Sequence, residues 1–143
     1  MEGRGQRAFD IAEMPFPDQY FGLMFCCHVM PMLPRARLLM AVRECFRVLA
    51  PGGIAIIESP VKDGATIEME HNTEAERQAA WYSGDVLRIF GDDEYWPMFE
   101  AAGFRVVERP IASEADARNW RLYQTTFKYF ERPAAPEPIK TGT

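Results

Sequence analysis

Long apolar runs are missing from this sequence. No stretch approaches the roughly 20 consecutive apolar residues that a bilayer-spanning helix needs. The N-terminal MEGRGQRAF also lacks the apolar core that marks a secretory leader. The resulting expectation is a cytoplasmic protein with no membrane partner. Cysteine is scarce: three residues, Cys26, Cys27 and Cys45, cannot close a disulfide framework without a remainder. They lie in an apolar run and a helical pattern, which reads as buried, reduced thiols. An excess of positive charge is absent too. The net charge is -5, and an acidic surface repels phosphate backbones, so nucleic acid is not an expected partner. The clearest cationic cluster, Arg35, Arg37, Arg43 and Arg47, is interrupted by apolar residues at helical spacing and reads as the solvated face of an amphipathic helix. No internal repeat and no phosphate-binding loop is visible. Gly3 and Gly5 make a G-x-G, but no strand precedes them, so they fail the context a cofactor loop requires.

What is present is enough for one compact domain: 143 residues, 48% of them hydrophobic, can bury a real core. PFPD at 15–18 is a turn, because two prolines fix φ and bar a helix. YFGLMFCC at 20–27 is short, apolar on both parities and bounded by turn signals, which predicts a strand buried on both faces. Pro31 and Pro34 punctuate a loop. Residues 35–49 place Leu38, Leu39, Val42, Cys45, Phe46 and Leu49 on one helical stripe. Pro51-Gly52-Gly53 then stops the helix, and IAIIE at 54–58 is a second buried strand. Strand, helix, strand with short connections is a βαβ unit with a right-handed crossover. Ligands of such sheets bind outside the carboxyl ends of the strands, here Cys27 and His28 on one strand and Glu58 and Ser59 on the other.

Residues 61–72 have no strong periodicity. Residues 73–89 read as helical, with a capping box from Thr73 and Glu76 and a break near Ser83-Gly84. A further helix over 91–102 begins at Asp92 or Asp93 and ends at Gly103, with Pro97 uncomfortably late for its start. Strands are predicted at 104–108 and 122–130, the second rich in aromatic and β-branched residues. Residues 112–119 are loop-like or briefly helical. The tail 132–143 is Pro-rich and expected to be disordered, leaving 1–131 as a single domain.

Three segments carry a resemblance. DIAEMPFPDQYFGLMFCCHVMPMLP, AVRECFRVLAPGGIAIIESP and FEAAGFRVVERP occur in the order and spacing of the later part of a class I S-adenosylmethionine-dependent methyltransferase of type 11. DVLRIFG at 85–91 is similar to a segment of one bacterial subgroup. The resemblance implies a truncated Rossmann-like α/β sheet. Parallel strands 20–27 and 54–58 would be joined by an antiparallel C-terminal pair, with 122–130 inserted beside 54–58. It also implies that the chain corresponds to the C-terminal portion of the domain, without the Gly-rich loop that holds the cofactor's methionine end.

The same resemblance implies the site. Asp10 would accept a hydrogen bond from the adenine amino group, a role suited to an acceptor-only carboxylate; the alternative is a turn or capping residue. The backbone of Ile11 would meet the adenine edge. Cys27 and His28 would lie along the cofactor, with His28 as a cofactor contact or a base, or else simply a histidine at a strand end. The family pattern places Glu and a second His where this chain has Pro31 and Met32. A zinc site from Cys26, Cys27 and His28 is rejected, because neighbours on a strand point to opposite faces, and no metal is expected. His71, near Glu68 and Glu70, reads as a solvated loop residue. Trp81, Tyr82, Tyr95 and Trp96 would line an acceptor pocket or pack the core. The function implied is methyl transfer from S-adenosylmethionine to a small-molecule acceptor. The alternative is a non-catalytic, methyltransferase-like interaction module. Either reading leaves a strand edge open to a partner chain or to a second copy in a homodimer.

Overall fold

The computed structural model describes residues 7–81, 84–107 and 126–134. Gly3, Gly5, Tyr82, segment 112–119 and the end of the tail lie outside them. The elements run β1 (Phe21–Cys27), a 3-10 turn (Met30–Met32), α1 (Arg35–Val48), β2 (Leu49–Ser59), β3 (Val61–Lys62), β4 (Ile67–Glu68), α2 (Glu74–Ala80), β5 (Arg88–Gly91), α3 (Tyr95–Ala101), β6 (Arg105–Val107) and β7 (Thr126–Glu131). The main sheet has four strands in the order β1-β2-β7-β6. β1 and β2 are parallel, and β7 is antiparallel to both β2 and β6. This is a partial Rossmann-like sheet with the C-terminal pair arranged as the sequence implies.

The α1 crossover buries Leu38, Ala41, Val42, Cys45 and Val48. Leu39, expected on that stripe, is 44% exposed, because the 3.6-residue period carries the buried face through Leu38, Val42 and Cys45 and leaves Leu39 off it. α1 ends at Val48 with an extended Leu49 as its C-cap, and Gly52 at φ 78 supplies the left-handed residue of the Pro-Gly-Gly turn that follows. β2 nevertheless begins at Leu49, because the ladder resumes across the turn: Phe21 pairs with Leu49, and the register then jumps to Leu23 with Ile54. Arg132 closes this corner. The Gly52 N–H donates to the Arg132 carbonyl at 2.7 Å, and the Arg132 N–H to the Gly53 carbonyl at 3.0 Å. Its guanidinium Nη1 donates to the carbonyls of Phe46 and Leu49 at 2.9 and 3.1 Å, a second donor for Phe46, whose carbonyl also accepts the Leu49 N–H. Arg132, expected in a disordered tail, is therefore anchored.

Across the sheet, Ala55, Ile57 and Phe130 are fully buried on the helix-covered face. Phe99 of α3 stacks on Phe130 at 4.8 Å. Tyr95 and Trp96 belong to this same core, which is the packing alternative for those aromatics. On the other face of the edge strand β1, Leu23 and Phe25 are 64% and 60% exposed.

The middle of the chain departs most from expectation. The capping box of Thr73 and Glu76 is present, but α2 ends at Ala80, and Arg88 and Ile89, read as the end of that helix, belong to β5 instead. β5 is the centre of a small sheet, β3-β5-β4. Its residues are buried alternately: Arg88 and Phe90 are fully inside, and Phe90 stacks on Tyr95 at 4.3 Å. Tertiary burial thus overrides a helical-looking local pattern. Gly91 is required by close approach, because a Cβ there would sit 1.8 Å from the Gly64 carbonyl oxygen. The next helix starts at Tyr95 instead of Asp92, since Asp92 accepts the Gly64 N–H at 2.8 Å and is spent on the neighbouring loop. The later start places Pro97 in the first turn, where its missing N–H has no intrahelical role.

Candidate functional site

The parallel register pairs Cys27 with Glu58, so their side chains share one face of the sheet, while Cys26, one residue earlier, points into the core. His28 then leaves the strand. Its N–H donates to the Glu58 carbonyl at 3.0 Å, and its φ of 54 lies in the left-handed region, which costs a non-glycine residue roughly 1–2 kcal/mol. That conformation turns the imidazole back toward β2. His28 Nε2 meets Glu58 Oε1 at 2.9 Å, and the Cys27 thiol donates to Oε2 at 2.6 Å. Both oxygens of a carboxylate that is only 3% exposed are therefore engaged, while the His28 side chain is 35% exposed.

The Cys27 thiol is pushed up to about 11, first by desolvation of the sulfur and then by its hydrogen bond to Glu58. Burial pushes Cys26 up to about 12. Neither is a thiolate near neutral pH, so neither is poised as a nucleophile.

Asp10 sits in the turn before β1. Its Oδ1 accepts the Ala12 N–H at 2.8 Å, its carbonyl accepts the Glu13 N–H at 3.0 Å, and its Oδ2 pairs with Arg37 of α1. Each carboxylate oxygen keeps a second acceptor position. Ile11, next in the turn, is half-buried and lines an apolar pocket of about 830 Å³ together with Phe9, Phe16, Leu23, Phe25 and Val29. Asp10, Cys27 and His28 do not line it, but Cys26 and Val29, which flank the Cys27-His28 pair, do. The four residues implied by resemblance thus divide among an acidic turn, an apolar pocket and a polar cluster at the strand ends.

Glu58 is the functional candidate whose role sequence reasoning missed. It was visible as a strand end, but only the register shows that it meets both Cys27 and His28. Strand alternation separates Cys26 from Cys27 as argued. It does not separate Cys27 from His28, because His28 is no longer in extended backbone. The other charged groups are largely occupied by one another. Arg35 pairs with Glu68 and Glu94, and Arg88 with Glu68 and Glu70, which leaves His71 exposed in its loop. Among the described residues, no helix is long and apolar enough to cross a membrane.

Comparison with known proteins adds sequence and fold. The family described as "Methyltransferase domain" matches residues 2–57, a span that includes Asp10, Ile11, Cys27 and His28. No curated protein matches the chain in sequence. Among solved structures, the [4+2]-cyclase SpnF superposes with a TM-score of 0.61 at 17% identity, over 90% of this chain and 56% of that one. A SAM-dependent methyltransferase from Archaeoglobus fulgidus gives 0.61 at 16% identity, over 91% and 69%. A chain from the complex built around the Haloferax volcanii Trm112 methyltransferase activator gives 0.59 at 16%, over 87% and 60%. The chain therefore spans just over half the length of SpnF, and at these identities the likeness is one of fold. A fold shared with a cyclase does not name a reaction. Residues 2–57 thus match a methyltransferase domain in sequence, and the described part of the chain shares the fold of SAM-dependent methyltransferases.

Proposed function

We propose that the chain supplies the later part of a S-adenosylmethionine-dependent methyltransferase acting on a small-molecule acceptor. The observation that carries this reading is the family match over 2–57, whose strand end holds the Cys27, His28 and Glu58 cluster beside an apolar pocket. The pocket fits one end of the cofactor. Ile11 and the surrounding aromatic side chains suit a flat adenine ring, and Asp10, outside the lining but next to Ile11 in the same turn, retains acceptor positions for an amino group. The lining of this pocket holds Arg7 as its one charged side chain and so offers the polar methionine end no comparable cradle. A segment carrying a Gly-rich loop would have to supply it.

The bound cofactor supplies an activated methyl group, so the protein's contribution is binding, alignment and exclusion of water. Cys27 and His28 border the cofactor at the strand end. Glu58, accepting from Nε2–H, orients the imidazole and leaves Nδ1 free to take a proton from an acceptor that must lose one.

Calorimetric titration of the folded chain with S-adenosylmethionine and S-adenosylhomocysteine tests the reading. Micromolar binding, weakened by Asp10→Ala, supports it. If the chain alone does not bind, adding a fragment that carries the Gly-rich loop should restore binding and methyl transfer. Failure in a folded complex overturns the proposal.

A second reading, a non-catalytic module that docks a partner chain, is favoured by Leu23 and Phe25, exposed on an edge strand. A clean monomer by light scattering argues against it.

A further inference from the structure

We infer that Cys27, His28 and Glu58 form a binding site for a single zinc-type divalent cation. Three ligand atoms of three kinds, a thiol sulfur, an imidazole nitrogen and a carboxylate oxygen, lie within 4.8 Å of one another. A donor set of this kind suits zinc or cobalt. Calcium and magnesium prefer oxygen alone.

The backbone assembles the set. Glu58 is carried on β2, an interior strand of the main sheet. Cys27 is its register partner. His28 is held by the bond from its N–H to the Glu58 carbonyl at 3.0 Å. The side chains now close on one another through hydrogen bonds of 2.6 and 2.9 Å. Metal bonds of ~2.0 Å to nitrogen and oxygen and ~2.3 Å to sulfur set tetrahedral edges of roughly 3.3–3.5 Å. Both contacts, one to each carboxylate oxygen, are shorter than such an edge, so Cys27 and His28 have to shift relative to Glu58 by about 0.5–1 Å to admit an ion. Glu58 is buried, but Cys27 is exposed and the His28 side chain is 35% exposed, so the two movable ligands are the ones facing solvent. Three protein ligands leave the fourth position to water, the arrangement of an open site. The cation takes the place of the thiol proton, so binding weakens as the pH falls. This inference does not depend on methyl transfer, and its readout needs no cofactor.

The test is titration of the chelator-stripped, folded chain with Co²⁺ alone, followed by Zn²⁺. The expected result is a sulfur-to-cobalt charge-transfer band with the intense visible absorption of tetrahedral cobalt, saturating at one ion per chain and abolished by Zn²⁺. Cys27→Ser, at an exposed position that does not threaten folding, should remove the charge-transfer band. Glu58→Gln should weaken binding at least tenfold, on the order of the loss seen when a supporting contact of a metal site is removed. Cys26→Ala and Cys45→Ala should leave the band intact. A band that survives Cys27→Ser, or a chain with native circular dichroism that takes up neither ion, overturns the assignment.

Discussion

Arg88→Met tests how the segment after His28 is held. Arg88 is fully buried. Its Nε donates to Glu68 Oε2 at 2.9 Å, one Nη to Glu70 Oε2 at 3.1 Å, and the other to the Leu33 carbonyl at 2.5 Å. The Leu87 N–H donates to the Pro31 carbonyl at 2.9 Å, so this end of β5 clamps the turn that follows the polar cluster. Breaking a buried ion pair costs about 3–5 kcal/mol. Methionine keeps most of the apolar volume, but Glu68, Glu70 and the Leu33 carbonyl each lose one donor. The Glu68 and Glu70 side chains are 36% and 22% exposed, and Glu68 retains Arg35, so the cost sits at the low end, about 3 kcal/mol. For a chain of this size that is a fall in Tm of roughly 10 °C.

The effect carries a pH signature. Burial pushes the Glu68 carboxyl up, but the hydrogen bonds from Arg88 and Arg35 outweigh it and leave its pKa below the ordinary value. A depressed carboxyl stabilises the fold above its unfolded pKa, about 4.3, and loses that contribution as the pH falls through the folded value. The gap between wild type and Arg88→Met should therefore be full at pH 7 and narrow below about pH 4.3. Urea unfolding followed by circular dichroism measures it. Arg88→Met combined with Glu68→Gln should be less destabilised than the sum of the single changes. An Arg88→Met chain within about 0.5 kcal/mol of wild type at pH 7, the range of an ordinary surface change, would refute the reasoning.

Further expectations follow from other contacts. Gly91→Ala, which places a Cβ 1.8 Å from the Gly64 carbonyl oxygen, should destabilise by about 3 kcal/mol through overpacking against backbone, read as a lowered urea midpoint; a neutral result would mean the two loops are not in contact. Arg132→Ala removes the donor to the carbonyls of Phe46 and Leu49 and should cost about 2 kcal/mol by thermal melting, whereas Arg43→Ala on exposed α1 surface should not. Self-association through the β1 edge should be lost when Leu23 and Phe25 are both replaced by Asp; light scattering should show a dimer for wild type and a monomer for the variant.

Sequence alone determined the parts whose physics is local. Turn residues around an apolar run placed β1, and apolar periodicity placed α1, because both signals lie in adjacent residues; the expected burial of β1 on both faces was not met, since Leu23 and Phe25 are exposed. The left-handed glycine after α1 and the capping box of α2 act within a few residues, and both were legible. The order of the C-terminal strands followed from the family motifs. Tertiary structure decided what depends on distant partners. Arg88–Gly91 became a strand because Phe90 finds Tyr95 and Arg88 finds Glu68 and Glu70, pairings that no local window contains. Asp92 lost its helix to a loop nearly thirty residues earlier. Arg132 is held at the end of α1 by the carbonyls of Phe46 and Leu49, more than eighty residues earlier in the chain. The candidate site divides in the same way. Asp10, Ile11, Cys27 and His28 could be named from motif positions, whereas Glu58 joined Cys27 and His28 only through the parallel register and the left-handed turn at His28. A carboxylate brought in from the neighbouring strand is invisible until that strand is laid beside β1.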